Sequence, residues 1–235
     1  MEETPVSAVG RIPGVFFSPV ATFDSIAKRP TWLPPLLLWT AVSVLFTAFL
    51  VPRIDYDRMI RGQMERRGQS VPEERIQAAV AMQKKIAPIA YNAIAAVTPT
   101  AVSLLVAVVL WGAFKAFGWD LSYRQAFGTT THAFLPGVLG SVILFLVVLR
   151  QETVDPSGLQ DMLRSNLGFL VERKASPAVH SLLQSLDVFS IWSLVLLVLG
   201  FAAAARVSRK SAAGVIVALW ALFVLGKAGF AAIFS

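Results

Sequence analysis

Hydrophobic positions in this chain fall in long unbroken runs rather than in alternation. Residues 30–52 hold 23 positions without a charge, 86–114 hold 29, 125–149 hold 25 and 188–205 hold 18. Residues 211–235 add 25 positions interrupted only by Lys227. A hydrocarbon layer about 30 Å thick needs roughly 20 apolar residues of helix. All five runs reach that length, the fourth narrowly. In lipid, backbone polar groups must be satisfied within a helix or around a closed barrel. Barrel strands would alternate with period two, and the runs at 104–110 and 194–199 do not. The pattern predicts an all-α, polytopic membrane protein with five transmembrane helices. It forms a single domain over 1–235, with spans near 31–52, 88–114, 127–149, 188–205 and 212–234.

The segments between the runs carry helical punctuation. Ser18-Pro19 has the form of an N-cap followed by an N1 proline. Val20, Phe23, Ile26 and Ala27 then share one face, with Asp24 and Lys28 off it. Within the N-terminal segment 1–30, this predicts a short amphipathic helix. Interfacial anchoring and a plain lead-in to the first span fit it equally. In the connection 53–87, Tyr56, Met59, Ile60, Gln63 and Met64 recur at helical spacing, as do Ile76, Ala79, Val80, Gln83 and Ile86. Ser70 with Glu73 has capping-box spacing, so a helical hairpin turning at 67–69 is expected. Pro88 and Pro99 interrupt its second arm, and proline kinks a helix by removing a donor and crowding the previous turn. The connection 150–187 repeats the plan, with a stripe of Leu159, Met162, Leu163, Asn166 and Leu170 after Asp155-Pro156-Ser157. A second short helix is expected after Ser176-Pro177, with His180 on its polar face.

Composition agrees with this layout. Hydrophobic residues make up 56% and charged residues 15% of the 235, against about 45–50% and 25% in soluble domains. Of the 35 charges, only Lys227 falls within a run. The absence of cysteine excludes a disulfide framework and thiolate metal or redox motifs. Glu2 and Glu3 stand where a secretory leader would be basic, so no leader is expected. The net charge of +7 does not call for nucleic acid. Arg206, Arg209 and Lys210 lie against two spans, where anionic lipid is the simpler partner. Lys and Arg number eight on the face holding the N-terminus and twelve on the other. The second face owns both long connections, so charge alone leaves orientation a tie.

Candidate chemistry is sparse. His132 and His180 lie 48 residues apart without metal-site spacing. No nucleophile elbow or phosphate loop occurs. No catalytic residue, cofactor or metal is expected. His132, beside Thr129-Thr130-Thr131, is expected to open the third span, bonded to nearby carbonyls. Lys227 either snorkels to the surface or faces the bundle as a buried cation. Asp187 marks a span boundary. Pro99 is a candidate kink, and Pro136 and Trp192 are candidate functional or packing positions. Gly200 with Ala204, Gly112 with Ala116, and Gly226 with Gly229 are candidate packing positions, because small residues let membrane helices approach closely.

Several segments resemble the prokaryotic branch of the Yip family, the Ypt/Rab-interacting membrane proteins. They are Phe17-Ser18-Pro19 through Phe23, Ile26 and Pro30, then Trp32-Leu33-Pro34-Pro35. Ser122-Tyr123-Arg124-Gln125-Ala126-Phe127 with Pro136 downstream is similar as well. So is Leu186-Asp187-Val188-Phe189-Ser190-Ile191-Trp192-Ser193-Leu194 followed by Gly200. The resemblance covers nearly the whole chain. It implies a compact five-helix membrane domain with a cytoplasmic N-terminus, in a bacterial inner membrane. The resemblance supplies no activity; with so little chemistry in the chain, the expected role is non-enzymatic, organising the membrane or partner proteins, with membrane lipids, other membrane proteins or a homo-oligomer as expected partners. A solute or lipid carrier is the alternative. The Asp-Leu-Tyr-Gly-Pro signature of eukaryotic members is absent, which argues against a Rab-type GTPase partner.

Overall fold

The computed structural model describes residues 7–66, 68, 71–155, 158–172 and 175–234, and no strand occurs among them. Five helical segments are long and apolar enough to cross a membrane: Leu33–Arg53, Glu73–Ala116, Tyr123–Val148, Val188–Ala205 and Arg209–Ile233. The N-terminal helices α1 (Arg11–Phe17) and α2 (Pro19–Lys28) precede the first of these. α3 (Leu33–Leu50) and its closing turn form the first span. α4 (Tyr56–Arg66) then packs on α5 (Glu73–Ala116). The hairpin turn at 67–69 and the Ser70 cap lie outside the described residues, apart from Gly68 with φ of 63°. Pro156 and Ser157, expected before the stripe at Leu159, also lie outside them.

α5 continues as one helix through Pro88 and Pro99. Its 44 residues extend about 66 Å at 1.5 Å per residue, more than twice the hydrocarbon thickness. The excess forms an arm with α4, closed by buried Tyr56, Ile60, Ile76, Val80 and Ala87. Arg61 ties the arm together, bonding Asp57 at 2.7 Å and Glu73 at 2.6 Å. Those two carboxylates, Glu73 first, hold the Arg61 pKa above its ordinary value. The pair is exposed, so its contribution to stability is small. The two long connections meet beside this arm. Val154 N–H donates to Arg53 O at 2.8 Å, and Asp55 N–H donates to Val154 O at 3.3 Å.

The third span differs from the single helix 127–149. It consists of α6 (Tyr123–Ala133) and α7 (Leu135–Val148), separated at Phe134. Pro136 sits in the first turn of α7, where a missing N–H costs nothing because that donor has no helical acceptor. α6 begins earlier than the charge-free run because Ser122 and Gln125 form a reciprocal capping box. His132 therefore lies deep in α6 and is wholly buried, rather than opening the span. Beyond α8 (Leu159–Met162) and α9 (Pro177–Ser185) come α10 (Val188–Ala205) and α11 (Arg209–Phe234). His180 is buried against Val171 O at 2.9 Å, not placed on a polar face.

The N-terminal pair is the least expected feature. α1 and α2 fold back on each other, and α2 packs along α10 and α6. Phe23 and Ile26 are buried at 1% and 0% exposure. The apolar face of α2 thus covers protein. The depth of the hairpin follows from its neighbours on α10. Phe23 lies against Gly200, about 7.5 Å along the axis from the helix end at Ala205. Phe16 meets Trp192 edge-on with ring centroids 5.4 Å apart, and Trp192 is about 20 Å from that end. The end of α1 next to the bend at Ser18 therefore touches α10 about three-quarters of the way along its 18 residues from Ala205. This is a re-entrant helical hairpin on the side of the bundle that holds the N-terminus. Phe17, at its tip, is 86% exposed.

Candidate functional site

In and around this hairpin stand half of the buried polar side chains among the described residues. Arg11, Thr22, Thr129, Thr130, Thr131 and His132 are all buried. Arg11 fastens the open end of the hairpin. Its Nη1 donates to Arg29 O at 2.7 Å and to Thr31 Oγ1 at 2.8 Å. Its Nη2 donates to Ser25 Oγ at 2.9 Å and Ser25 O at 3.3 Å. Arg29 O lies just past α2, where backbone carbonyls lack helical donors; Ser25 O, in its last turn, also accepts from Arg29 N–H at 3.0 Å. The cation thus sits at the negative end of the α2 dipole. Burial, and secondarily the charge of Arg29, lower the Arg11 pKa, although a guanidinium keeps its proton in proteins.

Three close approaches press the hairpin onto the spans. Gln125 Nε2 donates to Ala27 O at 2.8 Å, joining the first turn of α6 to the last turn of α2. A Cβ at Gly128 would stand 2.9 Å from Thr31 O. A Cβ at Gly200 would stand 2.6 Å from Cδ1 of Phe23 and would also overlap the Thr129 methyl. Glycine at 200 is therefore required by the proximity of α2 and α6 to α10. Gly112, Gly226 and Gly229 have open space where a Cβ would lie, so no such approach occurs there.

His132 Nδ1 stands 2.8 Å from Gly128 O. A carbonyl only accepts, so Nδ1 carries the hydrogen. Nε2 is buried and has no partner among the described residues. No group of three His, Asp or Glu with metal-holding geometry occurs among the described residues. Thr130, Thr131 and His132 bond carbonyls of their own helix α6, whereas Arg11 and Gln125 bond from one helix to another.

The residues singled out from the sequence divide accordingly. Gly200, Trp192 and His132 converge on the hairpin and its α6 wall. Pro136 and Pro99 lie buried in the third and second spans. Lys227 is half-buried in α11 and makes no ion pair among the described residues. Asp187 caps α10. One carboxylate oxygen accepts from Phe189 and Ser190 N–H at 3.0 Å each, and the other accepts from Ser165 Oγ. Asp187→Ala should cost about 1–2 kcal/mol, the range for losing an N-cap, while Asp187→Asn keeps most of it. Thermal unfolding in detergent, followed by tryptophan fluorescence, reads the difference. Arg11, Gln125 and Gly128 went unremarked as site residues in the sequence. The available signal was a buried-type glycine on each of α6 and α10.

Two clefts flank this region. One, of about 170 Å³, is lined by Val20, Asp24, Leu199, Ala202, Val207 and Arg209 among others. The other, of about 370 Å³, lies between α3, α5 and α6.

Comparison with known proteins matches this architecture. The family model described as the Yip1 domain matches residues 14–229, from inside α1 to near the end of α11. Membrane protein YknW of Bacillus subtilis (strain 168) is 24% identical over 198 residues, 84% of this chain and 80% of that protein. No solved structure matches. With the family model covering the hairpin's second helix and all five spans, the chain belongs to the Yip1 domain family.

Proposed function

We propose that this chain works without catalysis, as an organiser of the membrane and of proteins within it. In this reading it resides in a bacterial inner membrane with its N-terminus in the cytoplasm. One observation carries the proposal: the α1–α2 hairpin enters the bundle from the side of the Ala205 end of α10 and turns back inside it, at the level of Trp192. A hairpin that enters from one side and turns back inside the bundle adds more cross-section to that leaflet than to the other. Exposed Phe17 and Val20 at its tip present apolar surface at hydrocarbon depth. Packing favours this reading over a carrier. Phe23, Phe114, Phe201, Leu196 and Ile216 fill the centre of the bundle, leaving the two clefts at its edge. The α4–α5 arm supplies a surface beyond the opposite leaflet.

The test is reconstitution into vesicles of bacterial phospholipid at rising protein-to-lipid ratio, imaged by electron cryomicroscopy. Smaller or tubulated vesicles are expected. Unchanged spheres, or solute flux without a change of shape, would overturn the proposal. A single cysteine replacing Arg58 should label from outside intact cells, as the proposed orientation requires.

A further inference from the structure

The cleft of about 370 Å³ has a chemical gradient along its length. Trp32, Leu36, Leu104 and Phe127 line its walls. Tyr123 and Arg124, in the first turn of α6, stand at one end, and Thr100 of α5 stands at the other. The Tyr123 ring stacks on Phe127 and meets Trp111 edge-on. Trp111 thus marks the level of the Arg124 end on α5. Leu104 and Thr100 lie 7 and 11 positions before Trp111, about 10 and 16 Å deeper along the axis. The groove therefore starts at a cation near the bundle end and descends between apolar walls toward the middle of the span. Trp32 and Leu104 are each about two-fifths exposed, so the groove opens sideways to whatever surrounds the spans. Arg124 is exposed and has no ion pair among the described residues.

We infer that this groove holds one anionic phospholipid from the leaflet on the N-terminal side, an acyl chain along Leu104 and Phe127 and its phosphate on Arg124. Charge complementarity selects the headgroup. Arg124 lies in the first turn of α6, whose positive dipole end repels it and attracts an anion. The depth and apolar lining select a chain-bearing ligand over a free anion. The site stands apart from the hairpin, so its failure would leave the proposed function intact.

Native mass spectrometry of the full chain in mild detergent tests this, with dioleoyl phosphatidylglycerol and dioleoyl phosphatidylcholine as probes. Phosphatidylglycerol should bind preferentially. Arg124→Gln should weaken it about tenfold, as expected for losing a charge-assisted hydrogen bond, and weaken phosphatidylcholine less, because the choline cation offsets its phosphate. Leu104→Trp, made at an exposed position, should fill the groove and remove the tight adduct of either lipid. Lys84→Gln, at an exposed position on the arm end of α5, should change nothing. Equal binding of the two lipids, or undiminished phosphatidylglycerol binding by Arg124→Gln or Leu104→Trp, overturns the inference. Displacement of the lipid by millimolar inorganic phosphate alone would assign the site to a free anion and overturn it too.

Discussion

Arg11→Ala is expected to release the N-terminal hairpin from the bundle. The guanidinium satisfies Ser25 O, Ser25 Oγ, Arg29 O and Thr31 Oγ1 together, and no other side chain is placed to replace it. Losing bonds to a charged donor and leaving partly buried acceptors unpaired should cost about 2–4 kcal/mol. For a chain of this size that corresponds to a fall of roughly 10 °C in the unfolding midpoint. Arg11→Lys should recover only part, because one ammonium cannot span acceptors that a planar fork reaches from two nitrogens. The native chain has no cysteine, so Thr22→Cys provides a silent background for the measurement. Thr22 is 6% exposed and should resist maleimide in the parent, then react rapidly once Arg11→Ala is added. If neither the midpoint nor the labelling responds, Arg11 does not fasten the hairpin.

The second large effect is expected at Gly200. Any side chain there brings its Cβ to 2.6 Å from the Phe23 ring. Phe23 and Thr129 are each 1% exposed. Neither has room to retreat, and overpacking of this kind costs about 1–3 kcal/mol or more. Gly200→Ala is the mildest case, because alanine regains about 1 kcal/mol of helix propensity. Gly200→Leu should displace the hairpin outright and expose Thr22→Cys as Arg11→Ala does. Phe23→Ala alone should also destabilise, by leaving a cavity. Combined with Gly200→Leu it should restore part of the protection of Thr22→Cys, since it clears the Phe23 side of the shared space and leaves the Thr129 methyl in place. Protection that the second change fails to restore would place the strain elsewhere.

How legible the protein was in its sequence differs from element to element. The five spans could be read because they are a matter of local composition, and lipid tolerates little else. The arm of α4 and α5 could be read because Met59 and Ile60, then Ile76 and Val80, keep helical spacing. The hairpin could not. Arg11, Pro13, Gly14, Asp24 and Lys28 make residues 11–28 look like a polar lead-in, and an apolar helix face has the same pattern against lipid or protein. Only contacts with Gly200 and Thr129, far along the chain, decide between them. The break at Phe134 was hidden because Pro136 sits within an uncharged run, and charge counting is blind to backbone geometry. His132 was placed too shallow for a related reason. The helix starts where Ser122 caps it, not where the charges stop.

The hairpin also has a consequence in time. Phe23 and Gly200 are 177 positions apart. At a synthesis rate of about 5–20 residues per second, Phe23 leaves the ribosome roughly 10–35 s before the residue it packs on. Through that interval the apolar face of α2 has no protein partner, and the water–lipid boundary is where such a face rests. The amphipathic surface helix that the sequence suggests and the lodged hairpin that the structure contains are then two successive states of the same residues, and the arrival of α10 converts one into the other.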